Sequence, residues 1–476
     1  MGLTDPDIIK EFDLQMSYNV QGFNFMNKYN NHWDGRQRLF TKNHYFPIGL
    51  LSMAKSILKK KGCSFQIKDN RDQVVYGIPQ MISSASNLTP RDYQTDVVNL
   101  AYQQGGGIIK MATGAGKTLV IAMLAAQYNI KTVIYVIGIE LLYQMKETIE
   151  EAYPNLKVGL VGDGNCDIQD ITIATIWSAA NAFGEKADII DSDLTPFSKT
   201  KDKESVANKN KIKDMIRGAE LIIVDECQYC GSATVQLLHR ESISARHRFL
   251  LSASPWREAG DDILIESVGG PKFFDLPASK LIDEGWLVPP KIYFVNVPTR
   301  KNVGKTYQEI YKNFIVDNEE RNLLIIKAAK KLVLEGRRVL ILVTQVAHGK
   351  HLLSLLENDL RACSLDGTNK SEARLEAIQM MKTGKLDVLV ASKIFDQGID
   401  IPDLDALILA GSGKSSGRAL QRIGRVIRKG KKGSTKKDAI VVDFYDNCKF
   451  LREHSQIRKK VYATEPRFKI VMQKKG

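Results

Sequence analysis

Met111-Ala112-Thr113-Gly114-Ala115-Gly116-Lys117-Thr118 joins an apolar run to an apolar helical pattern. A glycine-rich loop in that position turns successive backbone N–H groups toward one point, and a lysine and a hydroxyl at its end make that point suit the phosphates of a nucleotide. Thr113, Gly114, Ala115 and Gly116 form the cradle, Lys117 reaches the β and γ phosphates, and Thr118 ligates Mg2+. ATP with Mg2+ is therefore expected. The complete pattern carries glycine six positions before the lysine, where this chain has Met111. That departure argues against a kinase or GTPase and toward nucleic-acid motors.

Two further groups extend the chemistry. The run Leu221–Val224 has the composition of a buried strand and ends in Asp225-Glu226-Cys227-Gln228. Carboxylates at the C-terminal end of a strand can hold Mg2+ through Asp225 and polarise an attacking water through Glu226. An Asp-Glu pair alone is often a strand cap; with the loop upstream it gains a purpose. Far downstream, Gln421-Arg422-Ile423-Gly424-Arg425-Val426-Ile427-Arg428 places positions 421, 425 and 428 on one face of an expected helix. Arg425 and Arg428 are expected to serve as arginine fingers on the γ-phosphate, with Gln421 in register. The plain alternative is a solvated basic helix face.

The elements that must position these groups are legible as recurring apolar runs. Val133–Ile137, Ile171–Thr175, Leu221–Val224 and Phe249–Ser252 alternate with helical patterns, as parallel strands buried on both faces do. After Pro289-Pro290 the rhythm restarts with Ile292–Val297, Val339–Thr344, Val388–Ser392, Ala406–Leu409 and Ala439–Asp443. The expectation is an α/β protein of two tandem doubly wound parallel-sheet domains, residues 86–284 and 285–476, behind a small α+β accessory domain, residues 1–85. Within the accessory domain a helix is expected over Ile48–Lys61 and a short hairpin over Ser64–Tyr76 turning at Asp69-Asn70. Part of the polar, lysine-rich stretch Phe183–Arg217 reads as a mobile surface loop.

The bulk numbers agree. A chain of 476 residues has room for two or three cores, and 43% hydrophobic with 26% charged residues is ordinary for a soluble protein. No signal-like N-terminus and no bilayer-length apolar run are present, so a cytoplasmic protein is expected, in a host cell's cytoplasm if phage-encoded. The net charge of +14 favours a polyanionic partner, and it gathers in the loop Lys429–Lys437 and the tail from Lys449 to Lys475. Of the six cysteines only Cys227 and Cys230 have ligand spacing; half a zinc site is better read as two buried thiols.

Taken in order, these segments resemble the superfamily-two helicases over residues 88–445. The resemblance implies RecA-like domains, in which Leu88-Thr89-Pro90-Arg91-Asp92-Tyr93-Gln94 looks like the adenine-reading segment, with Arg91 and Gln94 at the nucleotide. Ser252-Ala253-Ser254-Pro255 looks like the motif coupling hydrolysis to domain closure. Ser392–Pro402, with Gly398 and Asp400, looks like the one touching both nucleotide and strand. Gln144, Thr175, Ser392 and Lys393 fall where the family contacts nucleic acid. Two departures concern the subfamily: Gln228 stands where near relatives have His, and Ile137-Gly138-Ile139 lacks the usual proline.

The segment Asn31-His32-Trp33-Asp34-Gly35-Arg36, then Phe46-Pro47-Ile48-Gly49-Leu50, resembles the accessory domain of the UvsW-like phage helicases, as do Lys280–Gly285 and Gly304–Glu309. That resemblance implies an ATP-dependent motor on branched DNA (forks, Holliday junctions, D-loops and R-loops), with Arg36 a candidate DNA contact and no obligate protein partner or membrane. Trp33 equally suits a core, and Arg36 and Arg38 a solvated surface. The second Gly-Lys-Thr, at 304–306, follows no strand and is not expected to hold phosphate. An RNA helicase and a restriction motor remain open alternatives, and a non-catalytic scaffold would need damaged catalytic positions, which Lys117, Asp225, Glu226, Arg425 and Arg428 are not.

Overall fold

The computed structural model describes residues 3–472 except 21–32, 185–205, 257–259, 301–302, 370, 393–403, 412, 414–415 and 430–435. The chain divides into two compact units, one of Met1–Met111 and Gly116–Asp275, the other of Leu276–Gly476 with Ala112–Ala115.

The first unit begins with the helix Pro6–Gln15, which starts where the Asp5 carboxylate accepts the N–H groups of Asp7 and Ile8 and a proline occupies the first turn. Two three-residue strands follow, β1 (Ser17–Asn19) and antiparallel β2 (Arg36–Arg38). They are too short and polar to register as strands in the sequence. A 3-10 turn, Ile48–Leu50, feeds the helix Leu51–Lys60. Phe12, Met16, Phe40, Leu50, Ala54 and Ile57 close this module's own core, against which Ile263 from the α/β part also packs. Arg38 is no freely solvated charge: it bridges Asp13 at 2.7 Å and Asp34 at 2.5 Å.

The hairpin expected over Ser64–Tyr76 does not form. Asp69 pairs with Arg71 and Arg246, and Arg71 and the Asp72 carbonyl are hydrogen-bonded to Ala245 and Arg246 of the α/β part. Further on, the N–H groups of Gly77, Gln80 and Ser83 donate to the carbonyls of Asn129, Ala126 and Ala152.

The α/β part is built on β3 (Gly106–Met111), β4 (Thr132–Val136), β5 (Val158–Gly162), β6 (Asn165–Asp167), β7 (Ile171–Thr175), β8 (Leu221–Asp225), β9 (His247–Ser252) and β10 (Lys272–Leu276), in the order β10-β3-β9-β8-β4-β7-β5-β6. The strands from β3 to β5 in that order pair in parallel, and β6 returns antiparallel at the edge. β4, β5, β7 and β8 are buried along their whole length, as the continuous apolar runs require. Of the stretch read in part as a loop, residues 185–205 lie outside the described residues, and Val206–Gly218 is a helix whose Ile212 and Ile216 enter the core.

The second unit holds β11 (Pro290–Val297), β12 (Val339–Leu342), β13 (Ala362–Leu365), β14 (Val388–Ala391), β15 (Ala406–Leu409), β16 (Ala439–Asp446) and β17 (Lys469–Met472). They pair in parallel throughout, in the order β13-β14-β12-β15-β16-β11-β17. Both units therefore carry a parallel α/β sheet of the RecA-like kind. Two buried ion pairs pin helices under the second sheet: Arg321 to Asp446 at 2.9 Å and Arg458 to Asp443 at 2.8 Å. Among the described residues no helix is long and apolar enough to cross a membrane.

Candidate active site

β3 ends at Met111, wholly buried in the strand, so the position that lacks glycine is a core position here. The loop then curls through Gly114 at φ +88° and Gly116 at φ +77°, a left-handed conformation that a side chain would resist. Lys117 and Thr118 open the helix Lys117–Tyr128. The start of a helix is its anion-binding end.

Gln94, buried to 2%, fastens this turn from behind. Its Oε1 accepts the Arg91 N–H at 2.9 Å and its Nε2 donates to the Gly116 carbonyl at 3.2 Å. Arg91 in turn donates to the Tyr93 hydroxyl at 2.6 Å. The residues expected to read the base thus also set the loop's position.

The acidic pair lies at the end of β8, near Lys117. Burial and the neighbouring Glu226 carboxylate push the Asp225 carboxyl up to about 7, partly offset by Lys117. A divalent cation would relieve both causes, and with the Thr118 hydroxyl it would find the hard oxygen donors that Mg2+ prefers. Glu226 sits at φ +57°, the left-handed region that non-glycine residues seldom adopt.

One part of the site was not foreseen as a connection. The Ser252 hydroxyl, at the end of β9, donates to Gln228 Oε1 at 2.6 Å, and Gln228 Nε2 donates to Glu226 Oε2 at 3.0 Å. The Ser254 N–H donates back to Ser252 Oγ at 3.0 Å. Ser252 and Gln228 were each marked in the sequence, but parallel pairing of β8 with β9 is what joins them. Cys227 and Cys230 are buried free thiols in the turn that follows, and burial pushes Cys227 well above its ordinary range. No cluster of three potential metal-ligating His, Cys, Asp or Glu side chains occurs among the described residues.

The remaining candidates are distributed as follows. Thr175 is buried and caps the helix Ile176–Asn181, accepting the Ser178 N–H at 3.3 Å. Gln144 is exposed on the helix Ile139–Ala152. Arg36 donates to Ser17 Oγ at 3.1 Å. Ser392 is buried just past β14, while Lys393, Gly398 and Asp400 lie outside the described residues, as do Asn31, His32 and part of the basic loop after Lys429.

Gln421 and Arg425 stand one turn apart on the helix Ser416–Val426 of the second unit. Arg428 does not share that helix. The Val288 N–H captures the Ile427 carbonyl at 2.8 Å, and Arg428 enters an antiparallel bridge with Leu287, so the three-residue face expected from spacing is a two-residue face plus a bridge residue. At the second Gly-Lys-Thr, the Glu309 carboxylate accepts the N–H groups of Lys305 and Thr306, filling the place where a phosphate would have to go.

Comparison with known proteins agrees with this geometry. Residues 87–257 match the family described as Type III restriction enzyme, res subunit; residues 324–430 match the helicase conserved C-terminal domain; residues 3–68 match DNA helicase UvsW, N-terminal. Among relatives, the chain is 26% identical over 470 residues to "ATP-dependent DNA helicase uvsW" of Enterobacteria phage T4, covering 93% of this chain and 88% of that protein. It is 29% identical over 370 residues to a protein named as a helicase in Sulfolobus islandicus filamentous virus, covering 72% of this chain but only 62% of that relative's length. Of solved structures, S. cerevisiae Dbp5 bound to RNA and ADP BeF3 aligns with a TM-score of 0.54 at 12% identity, over 81% of this chain and 90% of that one, a likeness of fold alone.

Two RecA-like sheets, a phosphate loop and an acidic pair tied to the end of the next strand define a superfamily-two helicase, and the chain belongs to that superfamily. Its N-terminal module matches that of UvsW, and the 26% identity to the phage T4 protein runs through 93% of the chain, which supports the UvsW-like branch.

Proposed function

We propose that this chain is an ATP-driven DNA helicase or translocase that unwinds or branch-migrates branched DNA, at forks, Holliday junctions, D-loops or R-loops, in recombination, repair and replication. The observation that carries it is the convergence of Lys117, the buried Asp225–Glu226 pair and the Gln228–Ser252 relay at one sheet edge, in a chain with a UvsW-type N-terminal module.

Lys117 and the loop amides hold the β and γ phosphates of ATP, and Glu226 orients the attacking water. Thr118 and Asp225 would hold Mg2+, which would neutralise the negative charge that develops during phosphoryl transfer. Gln228, gripped by Ser252, keeps the Glu226 carboxylate in one orientation. Arg425 and Arg428 supply positive charge to the γ-phosphate from the second unit, so that hydrolysis depends on closure of the two units. Gln144, Thr175, Ser392 and Lys393 grip one strand through phosphate and sugar, giving low sequence preference and a steep salt dependence. The N-terminal module, with Arg36, meets the branch.

Lys117→Ala tests the core of this reading. ATP turnover stimulated by forked DNA and strand displacement from fork, four-way junction and R-loop substrates should both vanish, while DNA binding by anisotropy persists. Retained turnover would overturn the assignment of the loop. Stimulation by single-stranded RNA but not by forked DNA would overturn the choice of substrate.

A further inference from the structure

The segment Gly304–Glu309 has no task in the ATP site, yet it presents an unusual surface in the second unit. Tyr307 opens the helix Tyr307–Tyr311, whose start is fixed by reciprocal hydrogen bonding between Thr306 and Glu309. The Tyr307 ring meets Phe450 edge-on, 6.3 Å between centroids at 65°, and lies 5.7 Å from His454. Phe450 and His454 stand one turn apart on the helix Lys449–Tyr462. Tyr307 is 41% exposed and Phe450 45%. Two adjacent aromatic rings left half in water are an exposed apolar surface of the second unit.

Its surroundings are cationic. Lys305, Lys312, Lys449 and Arg452 are all exposed on the same two stretches of chain. Glu309, the nearest carboxylate on the first stretch, is committed to the Lys305 and Thr306 N–H groups, and on the second stretch Glu453 is outnumbered. Two half-exposed ring faces on stretches that also carry exposed ammonium and guanidinium groups match an unpaired base flanked by phosphates better than they match an apolar peptide, which would gain nothing from the charge.

The surface is also rigidly held and suitably placed. Arg458 and Arg321 lock the elements beneath it through Asp443 and Asp446, and Arg321 lies 4.6 Å over the Phe444 ring. Tyr311, one turn from Tyr307, is followed by a π-helical turn, Lys312–Val316, a winding that recurs at functional positions. The Thr344 side chain, just past β12, lies beside the Tyr311 phenol. Because β11, β12, β14 and β16 run parallel, Tyr307 and Phe450 occupy the same strand-end edge of the second unit as Thr344 and Ser392.

We propose that Tyr307 and Phe450 form a stacking platform for an unpaired base of single-stranded DNA, with Lys305, Lys449 and Arg452 taking the adjoining phosphates. This rests on the reading of the chain as a DNA motor. The test uses the full chain and a single-stranded oligonucleotide carrying 2-aminopurine, whose emission is quenched by stacking. The wild type should quench it. The pair Tyr307→Ala with Phe450→Ala should lose the quench and bind about tenfold more weakly, whereas Tyr307→Phe with Phe450→Tyr should keep both. ATP turnover without DNA should be unchanged in every variant, a sign of an intact fold.

Unaltered quenching and affinity in the alanine pair would overturn the platform and leave the patch to a protein partner. An equal loss on blunt duplex, which offers no unpaired base, would overturn it in favour of a merely electrostatic surface. If wild-type turnover is not stimulated by DNA at all, the reading as a DNA motor falls, and the platform with it.

Discussion

At Gly49 the accessory module lies directly against main-chain atoms of the first α/β domain. A Cβ built there would stand 2.1 Å from the Glu266 carbonyl oxygen, 2.5 Å from that of Ser267 and 2.7 Å from the Ser267 carbonyl carbon, all main-chain atoms of the helix Ile263–Gly269. Backbone in a helix cannot swing aside as a side chain can, so Gly49→Ala must drive the two elements apart by roughly 1 Å to restore van der Waals distance. Overpacking of that order costs about 1–3 kcal/mol. Separation also loosens Ile263 from the module's core around Phe12, Leu50 and Ile57. At the upper end the detached population of the module would rise by roughly a hundredfold.

Limited proteolysis of the first hundred residues reads this directly, with unwinding of forked DNA and DNA-free ATP turnover measured alongside. Cleavage should accelerate and unwinding should drop, while DNA-free turnover holds, because Lys117, Asp225 and Glu226 lie on other elements. Gly62→Ala is the control: nothing lies within 4 Å of its Cβ, and only its φ of +70° is unfavourable, a cost of about 1 kcal/mol. If Gly49→Ala is cleaved no faster than Gly62→Ala, the close approach is not what holds the module, and the steric reasoning fails.

Arg425→Ala should leave nucleotide binding intact and remove DNA-stimulated hydrolysis, measured by fluorescent-nucleotide titration beside steady-state turnover; normal turnover would dismiss its finger role. Acid sensitivity should appear below neutrality. Burial pushes His239 and His348 down to about 3, so each stays neutral when folded but takes a proton when unfolded. The unfolded state then binds more protons as pH falls below about 6.5, and stability should decline from there toward 3, by up to about 1.4 kcal/mol per pH unit for each histidine. Urea midpoints at pH 7.5 and 5.5 check this. His348→Gln, which replaces an imidazole hydrogen-bonded to Asn322 at 2.9 Å, should flatten the slope, and an unchanged slope would refute the assignment.

The parallel-sheet architecture and the candidate phosphate loop are legible in the residues because both rest on local signals. Buried parallel strands must be apolar along their length, so Ile171–Thr175 and Leu221–Asp225 are visible as runs. A phosphate cradle needs glycines and a lysine in immediate succession, so Gly114, Gly116 and Lys117 announce themselves. What the sequence could not decide was pairing at a distance. The hairpin expected at Asp69-Asn70 does not form, and that segment is tied instead to residues remote in sequence: Asp69 and the Asp72 carbonyl to Arg246, and Arg71 to the Ala245 carbonyl. The helix expected to carry Arg428 stops early because Val288, far away in sequence, takes the Ile427 carbonyl. Gln228 and Ser252 become a relay only when β8 and β9 lie side by side, and Tyr307 and Phe450 become a surface only when the ends of β11 and β16 do. Residue type and short spacing fix which chemistry is available; register between strands remote in sequence decides which side chains share it.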